Sequence, residues 1–131
     1  RFLASEENTL GHAFGAIQKP LGELYAENRQ LAMPVSMDGF ALAGNIEDTF
    51  ANSLLAIRNL EKITDNMYYI SSIQMLHTAQ AVDLRGKVQL AKKTKALYDA
   101  YRKVVPFVSF DRIYTADFTK GYEFLKSYTV K

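Results

Sequence analysis

Glu47 and Asp48 follow Asn45 by two and three residues, a spacing that suits a helix start. Asn is a favoured N-cap, and the positive end of the helix dipole favours carboxylates in the turn that follows. Placed there, Glu47 stays ionised and can pair with a cationic group; its plainer role is to neutralise the helix end. Just upstream, Ser36 and Asp38 read as residues that brace a connection through side-chain-to-backbone hydrogen bonds. His12 and His77 are far apart and lack a Glu-x-x-His spacing, so they do not predict a metal site. Tyr68 and Tyr69 read as core or interface aromatics, not as a catalytic pair. Cysteine is absent, which excludes a thiolate nucleophile, a thiolate metal site and a disulfide framework, and fits a cytoplasmic location.

Other chemistries are weakly served. Arg85 to Lys103 holds seven basic residues against Asp99 alone, but aromatic residues do not interleave on the basic face. A solvated helix face, and not a nucleic-acid contact, is the expectation. The net charge of +2 points to no polyanionic partner. No apolar run approaches the roughly 20 residues that cross a bilayer, and the Gly11/Gly15 pair reads as close packing of a soluble helix. The chain opens at Arg1, which fits a processed or truncated polypeptide.

The elements that must position these residues follow from periodicity. Leu10 to Met33 reads as helical, with Ala13, Ile17, Leu21, Leu24 and Leu31 on one stripe. Pro20 should kink or split it, and Pro34 should end it. Val35 to Gly44 is a connection. From Asn45 a second helix is predicted, carrying Phe50, Leu54, Ile57, Leu60, Ile63, Met67, Ile70 and Ile73. It runs unbroken to about Val82 or divides near Thr64-Asp65-Asn66, and Gly86 caps its end. Further helices are predicted over about Val88 to Val105, stopped by Pro106, and over about Asp117 to Tyr128. Phe107 to Tyr114 alternates like a strand but has nothing to pair with. The prediction is therefore one all-α region over 1–131: an elongated bundle of long helices whose apolar faces call for partners.

Glu27-Asn28-Arg29-x-Leu31-Ala32-x-Pro34-x-Ser36-x-Asp38, followed by Asn45-x-Glu47-Asp48, carries a family resemblance. With Ala56-Ile57-Arg58, the run Ala79 to Arg85 and Phe110-Asp111-Arg112, it resembles the C-terminal part of the histidine and aromatic amino-acid ammonia-lyases, histidine ammonia-lyase most of all. The likeness is colinear over nearly the whole chain. It implies a helical homotetramer, with this region in the tetramer core and active sites built from several subunits. It also implies a methylidene-imidazolone (MIO) electrophile formed from Ala-Ser-Gly. That triplet is absent, since Ala4-Ser5 is followed by Glu6, so the MIO would come from outside this chain and the chain alone should be inert.

By the same resemblance, Glu47 matches the active-site carboxylate of the histidine enzymes, where it would meet the amino or imidazole nitrogen of the substrate. Those enzymes have Gln-Glu-Asp-His; here the run is Ile46-Glu47-Asp48-Thr49, then Phe50-Ala51-Asn52-Ser53. Histidine-to-urocanate elimination is the implied reaction, with a related amino acid, an aminomutase or a degenerate relative still open. The expected partners are the amino-acid substrate, the missing N-terminal part of the enzyme and identical subunits, with neither nucleic acid nor membrane. The competing readings are a non-catalytic helical oligomerisation module that keeps the lyase scaffold and, behind it, a basic helical binding domain.

Overall fold

Helical periodicity is realised almost throughout the computed structural model, which describes residues 13–37, 39–86 and 88–129. A 3-10 helix at Ala13–Ile17 leads into α1 (Gln18–Leu31). Pro20 is the third residue of α1, where a missing N–H is among the first-turn donors that no carbonyl reaches. The predicted split therefore falls at Ile17, ahead of the proline. Pro34 follows soon after the C-cap, Ala32.

Between α1 and the next helix the prediction fails in part. Ala41–Leu42 (β1) and Glu47–Thr49 (β2) form a two-stranded antiparallel hairpin, with Ala41 opposite Thr49 and Leu42 opposite Glu47. Ala43, Gly44 and Asn45 turn it with φ of 50°, 65° and 70°. Asn45, in the left-handed region, lies in the reversal, and the residues after it pair back onto β1 instead of starting a helix. The helix α2 (Ser53–Arg85) starts later, after Asn52.

α2 is a single helix of 33 residues, unbroken at Thr64-Asp65-Asn66. Polar residues weaken a helix when they compete for its backbone. Here Thr64 Oγ1 donates to the Leu60 carbonyl one turn back, Asp65 accepts from Tyr122, and Asn66 reaches α1. Gly86, with φ 72°, caps the end as predicted. The helices α3 (Lys92–Arg102) and α4 (Thr115–Ser127) follow. Phe107 to Tyr114 forms no strand. Gln80 takes both backbone groups of Val108, and Arg112 donates to the carbonyls of Pro106 and Phe107.

The core lies on the C-terminal half of α2: Ile73, Leu76 and Ala79 pack with Phe14, Ile17, Tyr101, Val105 and Val108. Paired positions run in opposite senses (Asp65 with Tyr122, Ser72 with Phe118), so α4 lies antiparallel to α2. Gly121 permits the approach, since a Cβ there would stand 2.3 Å from Ser72 Oγ. The N-terminal half of α2 has α1 on one side and leaves Leu54, Ile57 and Leu60 exposed. The architecture is all-α, with the hairpin as a local insertion.

Candidate functional site

Glu47 stands on β2, exposed, and its carboxylate has no hydrogen bond or ion pair to any described residue. Glu47 is therefore not in the first helical turn that its spacing from Asn45 predicts: α2 begins six residues later, and no helix dipole acts on this charge from a first turn. What the fold gives Glu47 is presentation. It rides on a hairpin, in a loop whose ends are tied where Asn52 Nδ2 donates to the Val35 carbonyl at 3.0 Å. Asp48 lies on the same strand.

Beneath this loop is a groove of about 540 Å³ between the end of α1 and the start of α2, lined by Leu31, Pro34, Val35, Ile57, Leu60 and Ile63 among others. It is chiefly apolar, able to take a ring or an aliphatic side chain, and no charged group lines it among the described residues. Its polar neighbourhood lies further along the helix pair. Asn66, 1% exposed, donates to Glu27 Oε2 at 2.6 Å and to Asn28 Oδ1 at 2.9 Å. Asn59 donates to the Leu31 carbonyl at 3.2 Å. Lys62 lies 3.9 Å from Glu27, too exposed to matter greatly.

The remaining predicted candidates do not converge on Glu47. Ser36 is exposed, and Asp38, His12 and Gly11 lie outside the described residues. His77 Nδ1 pairs with the Ile73 carbonyl and its ring meets Phe14 edge-on, which is a structural placement. Among the described residues no three His, Cys, Asp or Glu side chains gather as a metal site. Tyr69 stacks on Tyr122 with centroids 4.2 Å apart and Tyr68 meets it edge-on, which places both in packing. The basic segment is partly internal. Arg102 pairs with Asp83 at 2.5 Å and donates to the Val105 and Pro106 carbonyls, while Lys95 pairs with Asp99 at the surface.

Asp83 also accepts from Tyr98, whose phenol is pushed up first by burial and then by that bond. Asp65, Tyr122 and Lys126 make a comparable node between α2 and α4. There the hydrogen bond to Asp65 raises the Tyr122 phenol, and the bond to Tyr122 raises the Lys126 ammonium. These nodes hold helices together: Asp83 joins the end of α2 to α3, and Asp65 joins the middle of α2 to α4.

Sequence reasoning missed the asparagines. Asn52, Asn59 and Asn66 recur every seven residues, and that polar periodicity inside an apolar stripe was the available signal.

A family model described as aromatic amino acid lyase matches residues 1–103. A tyrosine ammonia-lyase of Cupriavidus metallidurans is 38% identical over 88% of this chain, and a histidine ammonia-lyase of a Geobacillus species is 33% identical over 84%. Each alignment takes in 22% of the relative, so the chain spans about a fifth of their length. Among solved structures, ergothionase of Treponema denticola, an ergothioneine-degrading enzyme in complex with desmethyl-ergothioneine sulfonic acid, superposes with a TM-score of 0.87. It is 43% identical over 94% of this chain and 25% of its own. Histidine ammonia-lyase of Trypanosoma cruzi also superposes with a TM-score of 0.87 over 94% of this chain and 24% of its own, at 22% identity, a likeness of fold.

Proposed function

The chain belongs to the aromatic amino acid lyase family, and from that premise we propose that it is the C-terminal portion of a lyase that eliminates an amine from an α-amino acid. Histidine, giving urocanate, is the first substrate reading. The carrying observation is Glu47: an exposed carboxylate, unpaired among the described residues, held out on a tied loop at the position that resembles the family's active-site carboxylate. Such a reaction removes a weakly acidic β-proton while a poor leaving group departs. A fixed anion at the amino or imidazole nitrogen orients the substrate and favours its cationic form.

The family's MIO supplies the electrophile in such a reaction. The residues here do not fit its formation, because no Ala-Ser-Gly triplet occurs in the 131 residues. The group is expected from outside this chain, and we assign none of these residues to it. The remainder of the enzyme and identical subunits in a tetramer are the proposed partners, which would cover the exposed Leu54, Ile57 and Leu60. A cytoplasmic location remains part of the proposal. No helix among the described residues is long and apolar enough to cross a membrane.

A second reading is favoured by the 43% identity to the ergothioneine-degrading enzyme and by Ile46 and Thr49, which depart from the histidine-enzyme run. The substrate would then be a betaine of an imidazole-bearing amino acid. Its quaternary nitrogen offers Glu47 charge but no N–H.

The test is amine release by the complete enzyme from histidine, tyrosine and ergothioneine, with Glu47→Gln beside the wild type. A charge-assisted bond is worth about 1.5–3 kcal/mol, so Glu47→Gln should lower kcat/KM roughly 10- to 100-fold on the true substrate. Release from none of the three sinks the lyase reading and leaves the non-catalytic assembly module as its successor.

A further inference from the structure

Asn52, Asn59 and Asn66 stand seven residues apart, two helical turns and roughly 10 Å per step. All three side chains donate toward α1 or its continuation. Asn66 meets Glu27 and Asn28, Asn59 meets the Leu31 carbonyl, and Asn52 meets the Val35 carbonyl. Acceptor numbers rise as donor numbers fall, so the bonds follow the antiparallel helix pair up to the neck of the loop that bears Glu47.

We infer that these asparagines are positioning residues for Glu47: Asn66 and Asn59 fix where α1 ends, and Asn52 ties the start of the loop to its finish. The inference rests on the role proposed for Glu47 above.

Two features favour positioning over plain packing. First, Asn59 stands in a chiefly apolar seam with Leu31, Leu60 and Ile63, which apolar side chains could fill. Apolar contacts slide along a helix pair, whereas an amide donor aimed at a carbonyl fixes one register. Asn66 keeps its place even though its own Oδ1 is buried without a partner among the described residues, a cost that an apolar residue would remove. Second, the hairpin holds Ala43 and Asn45 at φ of 50° and 70°. Non-glycine residues keep such backbone only where the surrounding structure holds it.

The substitutions that separate these cases are Asn52→Gly and Asn52→Asp, made in the complete enzyme. Asn52 has φ 53°, which glycine adopts freely, so Asn52→Gly deletes the amide without straining the backbone. Asn52→Asp keeps the shape and sets an acceptor against the Val35 carbonyl. Either should lower the rate of amine release tenfold or more with little change in the thermal midpoint. Either should also speed amide exchange over 39–51 at least tenfold.

In a Glu47→Gln background the same substitutions should cost nothing further in rate. Equal losses with and without Glu47, or unchanged exchange over 39–51, would overturn the inference. If Glu47→Gln alone leaves the rate intact, the reading of Glu47 fails by itself. Exchange over 39–51 then still upholds or overturns Asn52 as the tie.

Discussion

Single side chains settle how the helices of this protein meet. Gly121 lies where a Cβ would stand 2.3 Å from Ser72 Oγ and 3.3 Å from Ser72 Cβ, and that hydroxyl donates to the Phe118 carbonyl at 2.7 Å. Gly121→Ala must push Ser72 off its acceptor or part α2 from α4, an overpacking cost of about 1–3 kcal/mol. Chemical denaturation should show the loss, and Ser72→Ala in the same chain should recover part of it. Additive losses in the double variant would argue against a direct clash. Gln80, fully buried, holds both the N–H and the C=O of Val108. Gln80→Leu leaves both backbone groups unpaired, so its expected cost is larger, about 2–4 kcal/mol in the same measurement.

The tyrosines set an alkaline limit. Burial raises the Tyr98 phenol, helped by its bond to Asp83, and burial raises that of Tyr101 far above the ordinary 10.0. The folded values exceed the unfolded ones, so the folded state binds more protons as pH rises through 10. This stabilisation is complete below the unfolded value and is lost as pH climbs through the folded values. The thermal midpoint should hold to about pH 9 and fall steeply above about pH 10, which a scan against pH checks.

At the scale of elements, α2 is one helix with two environments. From Asn66 to Gln80 it buries Asn66, Ser72, Ile73, Leu76, Ala79 and Gln80 against α1, α4 and the 106–114 segment. From Ser53 to Ile63 it rests chiefly on α1 and the loop among the described residues, and none of the side chains in that stretch is fully buried. Amide exchange should therefore be slow over 70–82 and at least a hundredfold faster over 55–62, since local opening there uncovers few buried groups. Uniform protection along α2 in the purified protein would mean that other surfaces already cover its first half.

Over the whole molecule, packing is lopsided. The core gathers about the C-terminal half of α2, while Leu54 (65% exposed), Ile57 (53%) and Leu60 (62%) form a stripe facing solvent. An apolar stripe of this kind marks an interaction surface, and association would stabilise the fold by mass action. Native mass spectrometry should find the protein in a complex larger than a single 14.8 kDa chain. Leu60→Asp should shift it toward smaller species. Unchanged masses would remove the stripe from the assembly.

The sequence by itself determined the helices, because a 3.6-residue apolar repeat, Pro34, Pro106 and Gly86 act through local backbone sterics and hydrogen bonding. It also carried the family likeness of the Glu27-to-Asp48 block, since side-chain identities are read directly. Tertiary structure alone decided where Glu47 stands. Asn45 is as good a turn residue as an N-cap, and the pairing of Glu47–Thr49 with Ala41–Leu42, within a loop tied by Asn52, selected the hairpin. The continuity of α2 was settled in the same way, because Asp65 and Asn66 support a helix only once Tyr122, Glu27 and Asn28 occupy their side chains. Those partners lie 38 to 57 residues away along the chain, beyond the reach of any local pattern.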